Sequence, residues 1–413
     1  MWRNKLKILI ISSGFFPVTN HMGGAIENLI ETYLKENDEK FKNDITLYSV
    51  KTNRCVNVEQ NYLKNTQIRI IDKTKISYKV RQIFKLLENK LTKKYNGNVY
   101  INQIVKDLND KKEFGLYDCI IVENIGKFVP IIRKYTKSKI IFHLHNDYLN
   151  VNTENANKIV ESCDYIWCVS EFIANRVKEI NKNNSNIQRK VKVLYNGIDM
   201  QMFKKSITES EKIELKKKYG FRSEDKIILY TGRLMPEKGV KELLLATKEL
   251  LNDRKDIGLL IVGGTRQINR NNDGYVIELK KIADTMTNKV IFTGNIPYEE
   301  LYKFYSISDI QVIPSIWNEA FGLTVVEGMA ASIPLIVTNS GGIPEIVDKN
   351  NTIIINVDSK LVYNLYKSLS YCLYSDTYRD DCIKTYSERL KNFTKEKYSN
   401  NFNKLINETI RME

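Results

Sequence analysis

Three histidines, and six cysteines without a C-x-x-C pair, leave this 413-residue chain little from which to build a zinc cage or a disulfide framework. Cys55, Cys119, Cys163, Cys168, Cys372 and Cys382 are scattered along the sequence, which suits a reducing, cytoplasmic compartment. No D-x-D occurs, so no metal-carboxylate clamp for a diphosphate is expected. The G-x-G-x-x-G of dinucleotide-binding folds is missing as well. No apolar stretch reaches the roughly 18 residues of a spanning helix. The N-terminal run Leu6 to Ile11 is only of strand length and ends in Ser-Ser-Gly, so it reads as a buried strand entering a loop and not as a signal peptide.

What the chain has in excess is positive charge. Net charge is +15, with 64 Lys and Arg against 49 Asp and Glu, which favours polyanions: nucleic acid, phosphorylated ligands or an anionic membrane. Nucleic acid ranks lowest, because neither paired Cys/His ligands nor an aromatic RNA-binding strand pattern is present.

Uninterrupted apolar runs recur at Ile8 to Ile11, Cys119 to Val122, Ile140 to Leu144, Tyr165 to Val169 and Val191 to Leu194. Strands buried on both faces have this pattern, and in parallel sheets helices supply the cover. After a lysine-rich polar stretch the rhythm restarts at Ile227 to Tyr230, Leu259 to Val262, Val290 to Phe292, Ile310 to Ile313 and Leu335 to Val337. The expected organisation is therefore two doubly wound α/β domains, 1–200 and 223–394, joined by a linker at 201–222. A C-terminal helix at about 395–413 is expected to pack back on the first domain. Residues 76–91 form an amphipathic basic helix with Val80, Ile83, Phe84, Leu87 and Leu91 on one face. It could lie on a membrane, but the favoured expectation is a helix packed on its own domain with a solvated basic face.

Several segments can carry chemistry. Strand Ile310 to Pro314 leads into a loop ending Glu319-Ala320-Phe321-Gly322, with a helix starting at Leu323 or Thr324 and Glu327 about one turn in. Gly322 allows close backbone approach, and the amides of Gly322, Leu323 and Thr324 at a helix N-terminus favour phosphate or sugar hydroxyls. In YTGRLMPEKGV, Arg233 follows a strand end and Lys238 precedes the next helix, so two cations suited to a pyrophosphate lie at one sheet edge. Gly23 and Gly24 precede the first helix. In IIFHLHN, His143 reads as a core histidine and His145, at the strand exit, as a site residue.

In order and spacing, GGAIENL, HND, VSEFI, NGID, GRLMPEKG, FTGNIP, SDIQVIPS, EAFGLTVVEGMA and GGIPEIV together resemble the retaining glycosyltransferases of family four, and Glu319 and Glu327 fit that family's E-x7-E motif. The resemblance implies a GT-B fold: two Rossmann-like domains, acceptor-side and nucleotide-sugar-binding, facing a central cleft. It implies a nucleotide-sugar-dependent hexosyltransferase, UDP-linked by family habit, that serves a cell-envelope polysaccharide, glycolipid or other glycan and works at the inner membrane face. Neither cofactor nor metal is implied, since the nucleotide sugar is a co-substrate. By the same resemblance Arg233 and Lys238 hold the donor diphosphate, Glu327 the ribose, and Glu319, Phe321 and the Gly322 to Thr324 amides the donor sugar. His145 contacts that sugar, Gly23 and Gly24 approach the phosphate, and Asn295 and Ile296 receive the base through main chain. Ser332 departs from the pattern, because many relatives carry glycine there. A sugar-nucleotide epimerase and a catalytically silent coat or scaffold protein are the rival readings.

Overall fold

A computed structural model describes residues 5–18, 24–53, 63–93, 95–265, 274–286 and 289–411. The chain divides into two compact units, residues 1–197 with 395–413, and 198–394. Residues 201–222 carry most of two helices, Met200–Phe203 and Glu209–Lys218, both counted in the second unit.

The first unit is built on seven strands: β1 (Lys7–Ile11), β2 (Asp44–Lys51), β3 (Thr66–Asp72), β4 (Cys119–Glu123), β5 (Lys139–Leu144), β6 (Tyr165–Cys168) and β7 (Val191–Val193). Every pairing is parallel, in the order β3-β2-β1-β4-β5-β6-β7. The unbroken apolar runs have the expected cause: Ile8 to Ile11, Cys119 to Val122 and Ile140 to Leu144 have almost no exposed surface. From the C-terminal helix Lys395–Arg411, Tyr398, Phe402 and Ile406 join Leu29, Tyr33 and Trp167 in this core. Their spacing of four places them on one helical stripe.

Six strands form the second unit's sheet: β8 (Lys226–Thr231), β9 (Ile257–Val262), β10 (Val290–Gly294), β11 (Ile310–Ile313), β12 (Leu335–Thr338) and β13 (Ile353–Ile355). They too are all parallel, ordered β10-β9-β8-β11-β12-β13. Both sheets reverse strand order once, between β1 and β4 and between β8 and β11. In open α/β sheets ligands bind outside the carboxyl ends of the strands at such a switch point. Two parallel α/β sheets are thus what the apolar runs predicted.

One expectation needs correction. The helix Ile76–Thr92 does not bury its apolar face: Ile76, Ile83, Phe84 and Leu91 are 79%, 60%, 68% and 83% exposed. Its inward stripe is Tyr78, Gln82, Lys85 and Asn89, spaced four, three and four, and only Tyr78 is fully buried. Periodicity identifies an apolar face but not the direction in which it points, and here polar side chains hold the helix to its domain.

Ser332 adopts a left-handed φ of 55° just after the helix Leu323–Ala330, the conformation that favours glycine. The departure noted in the sequence therefore falls on a strained turn.

Candidate functional site

In the second unit the carboxyl edge is lined by glycines that let backbone segments touch. A Cβ on Gly263 would lie 1.9 Å from the Gly232 carbonyl oxygen, and one on Gly239 would lie 1.8 Å from that of Pro314. Both have positive φ, at 136° and 69°. The loop after β8 is thereby pressed against the loop after β11, at the switch point.

This approach brings Lys238 and Glu319 together. Lys238 Nζ donates to Glu319 Oε1 at 2.5 Å, and Ser315 Oγ donates to the same oxygen at 2.6 Å. Lys238 closes the short 3-10 turn Pro236–Lys238, and Gly239 then caps the helix Val240–Asp253, so one residue separates the lysine from the helix. Arg233 is exposed at the same edge, and its guanidinium has no ion-pair partner among the described residues. Tyr230 donates to the Arg233 carbonyl at 2.8 Å and fixes the backbone there.

The loop carrying Glu319 is held from the next strand. Thr338, at the end of β12, donates to the Ser315 carbonyl at 2.7 Å, Ser340 donates to the Trp317 carbonyl, and the Gly342 amide donates to the Glu319 carbonyl at 2.8 Å. Gly341, at φ 56°, lies so close that a Cβ would sit 2.1 Å from the Glu319 oxygen. The GGIP segment was legible as a motif, but its task of seating Glu319 was not.

Gly322, at φ 122°, is the N-cap of the helix Leu323–Ala330, and no side chain caps it. The first-turn amides of that helix lack intrahelical acceptors by geometry. Phe321 is buried against Phe393 at 5.7 Å between ring centroids, so this residue offers a ligand its backbone rather than its ring.

Glu327 lies in the helix as expected but is buried, with Tyr298 Oη donating to Oε1 at 3.2 Å and Tyr305 Oη to Oε2 at 3.1 Å. Burial pushes its carboxyl up to about 7 against the pull of both tyrosines. Tyr305 is tied to Thr231 at 3.1 Å, and Gln311 donates to Thr231 at 2.9 Å, so the carboxylate ends a polar chain that starts inside the sheet. Neither tyrosine was singled out by sequence, because nothing in local spacing links residues 298 and 305 to 327. Gly294 ends β10, and Asn295 and Ile296 follow it at the same edge, with Asn295 exposed and its side chain against Gly264.

In the first unit, Gly24 caps the helix Ala25–Glu36, and a Cβ there would meet the buried Glu27 carboxylate at 2.8 Å. Ser13 Oγ donates to Glu27 at 2.8 Å, and burial raises the Glu27 carboxyl. Gly23 lies outside the described residues.

His145 sits just past β5 with its amide on Asn124 Oδ1 at 3.2 Å and Nε2 at 2.8 Å from Glu123 Oε2. His143, fully buried, brings Nδ1 to 3.1 Å from the same oxygen and packs against His145 with centroids 4.0 Å apart and the rings tilted by 50°. The three side chains place donor atoms within 4.8 Å of one another, a grouping the sequence did not reveal because Glu123 comes from β4. Of the two rings only His145 hydrogen-bonds that oxygen; His143 Nδ1 lies near it without hydrogen-bond geometry. Burial alone pushes Glu123 up, but the two histidines outweigh it and bring it down to about 2. Burial, aided by His143, lowers His145 to about 4. A neutral His145 donating Nε2–H to Glu123 keeps Nδ1 as an acceptor.

These opposed shifts predict opposite pH responses in the two units. His145 is lowered from 6.5 to about 4, so its contribution is full above 6.5 and is lost as pH falls toward 4. Glu327 is raised from 4.5 to about 7, so the folded state binds the extra proton and stability falls as pH rises from 4.5 through 7. Each amounts to about 3 kcal/mol over its window. Calorimetry between neutral pH and mild acid is expected to show one transition falling and one rising, with Glu327→Gln abolishing the rise. Two transitions falling together toward acid would contradict the Glu327 assignment, and two rising together the His145 assignment.

Residues 211–387 match the model of the glycosyl transferases group 1 family. The putative glycosyltransferase YtcC of Bacillus subtilis is 32% identical over 238 residues, 56% of this chain and 58% of that protein. The match thus spans a little over half the length of that relative. Among solved structures, a glycosyltransferase from Rickettsia africae is similar over 100% of both chains at TM-score 0.75 and 21% identity. The Anabaena Alr3699/HepE protein in complex with UDP and glucose is similar over 98% of this chain and 100% of that one, at TM-score 0.71 and 18% identity. The two sheets are those of a GT-B fold.

Proposed function

We propose that this chain, whose residues 211–387 match the glycosyl transferases group 1 family, is a retaining glycosyltransferase moving a sugar from a nucleotide donor, UDP-linked, to a glycan or lipid-linked acceptor. The observation that carries the reading is the Lys238–Glu319 pair at a switch point, on the sheet edge that also carries Arg233. A pyrophosphate needs fixed cations at a sheet edge, and no competing partner among the described residues engages the guanidinium.

In this reading the anomeric carbon–oxygen bond to the phosphate breaks and the electron pair leaves with the nucleoside diphosphate. The acceptor hydroxyl forms its bond on the same face, and a leaving phosphate oxygen takes its proton. Arg233 and Lys238 neutralise the charge that develops on the diphosphate, and the amides of Gly322, Leu323 and Thr324 add fixed dipoles. Glu319, whose Oε1 is committed to Lys238 and Ser315, turns Oε2 toward the donor sugar and stabilises the cationic ring. Glu327 receives the ribose hydroxyls, exchanging its tyrosine partners for them, and the main chain at Asn295 and Ile296 receives the base. Within the first unit, His145 keeps Nδ1 as an acceptor for a sugar hydroxyl, and Gly24 leaves room at its helix N-terminus for a phosphate or an acceptor. The acceptor belongs to a cell-surface polysaccharide or glycolipid, and the protein works from the cytoplasm at the inner membrane face.

The test is a panel of sugar nucleotides incubated with the pure protein, with and without envelope lipid acceptors, and read by mass spectrometry. One donor is expected to be consumed with transfer of its sugar. Interconversion of the donor sugar without transfer would establish an epimerase instead. No consumption under any condition would favour the silent scaffold.

A further inference from the structure

The outward face of the helix Ile76–Thr92 is the strongest feature of the molecule that donor chemistry leaves unused. On a helical projection Ile76, Val80, Ile83, Phe84, Leu87 and Leu91 share an arc of about 100°, and all six are exposed. The opposite side is tied down by polar groups. The Val99 amide donates to Gln82 Oε1 at 3.2 Å, Asn89 Nδ2 donates to the Gly97 carbonyl at 2.9 Å, and the Asn96 amide donates to Asn89 Oδ1 at 2.9 Å. The usual arrangement of a surface helix is reversed: polar side chains anchor it, and a row of large aliphatic and aromatic side chains meets water. Burying large apolar side chains is favourable, so a row of six left in water implies a second environment that covers it.

We propose that this face lies in the headgroup boundary of an anionic lipid bilayer. The charges around the stripe select that occupant. Lys79 and Lys90 border one side of the stripe and Arg81 lies beyond the other, all exposed, while the one acidic side chain, Glu88, is paired with Lys85 at 2.8 Å. Pairing with a second copy across a two-fold axis would set these cations against themselves. Anionic headgroups complement them, and the chain's net +15 adds long-range attraction. No helix of the described residues is long and apolar enough to cross a membrane, so the contact is interfacial. This deepens the proposed work at the inner membrane face by naming the residues that meet lipid, yet it needs neither donor nor turnover.

The experiment is flotation of the full chain with vesicles of phosphatidylcholine alone and with vesicles containing about a quarter phosphatidylglycerol. The wild-type protein is expected to float with the anionic vesicles and to be released by salt. Ile83→Gln, Phe84→Gln and Leu87→Gln combined should weaken partitioning by more than about a hundredfold. Because these side chains are exposed, circular dichroism and Tm should stay at wild-type values. Lys79→Gln and Lys90→Gln should each weaken it about fivefold, on anionic vesicles only. Equal flotation of the triple variant, or no flotation of the wild-type protein, overturns the proposal. So does a dimer, seen by sedimentation velocity, that the triple variant dissolves. Sugar transfer measured with a water-soluble acceptor in the triple variant keeps this failure separate from failure of the transferase reading.

Discussion

Lys238→Ala is expected to lower sugar transfer by about two to three orders of magnitude, the loss that follows when one preorganised group facing developing charge is removed. The structure gives a second reason for a large effect. Lys238 holds Glu319 at 2.5 Å, so truncation removes a cation from the diphosphate and also leaves a bare carboxylate where the phosphate must enter. Repulsion then adds to lost attraction. The pair is partly exposed, and its contribution to folding is small, so Tm should change little. Arg233→Ala removes an exposed, uncommitted guanidinium facing the same developing charge and should lower kcat by about tenfold as well as raise donor KM. Because Lys238 and Glu319 act as a unit, Lys238→Ala combined with Glu319→Gln should cost less than the sum of the two single changes. Steady-state kinetics with the consumed donor measures all four. Wild-type turnover in Lys238→Ala would sink the diphosphate assignment.

What the sequence revealed of this site was what lies along the chain. Unbroken apolar runs identified buried parallel strands. A cation just past β8, a glutamate just past β11 and a glycine before a helix are local signals, and Arg233, Lys238, Glu319 and Gly322 all fall at the carboxyl edge of one sheet. Partners supplied by another strand left no such trace. Glu123 is an ordinary strand-end residue until β4 pairs with β5 and sets it beside His143. Tyr298 and Tyr305 look like helix-surface aromatics until Glu327 is placed between them. The amphipathic helix was misjudged for a related reason: its hydrophobic stripe was plain, but its direction depended on hydrogen bonds to residues 96–99.

Gly341→Ala is expected to damage the site without touching a ligand. At φ 56° an alanine pays the left-handed strain of roughly 1–2 kcal/mol, and its Cβ would stand 2.1 Å from the Glu319 oxygen and 2.7 Å from its nitrogen. These are backbone atoms, so no rotamer relieves the contact. The loop bearing Glu319 must move by about an ångström, which breaks the 2.8 Å bond from the Gly342 amide and carries the carboxylate away from Lys238. Displacement on that scale costs about a hundredfold in turnover, and the strain and lost bond together lower stability by about 2–4 kcal/mol. Ser332 supplies the control. It has nearly the same φ, 55°, already with a side chain, so Ser332→Gly should relieve strain and gain up to about 1 kcal/mol at unchanged turnover. Thermal melts and kcat/KM on the two variants separate the effects: if positive φ alone mattered, Gly341→Ala would lose stability and keep its activity. Loss of both in Gly341→Ala ties the activity to the position of the Glu319 backbone.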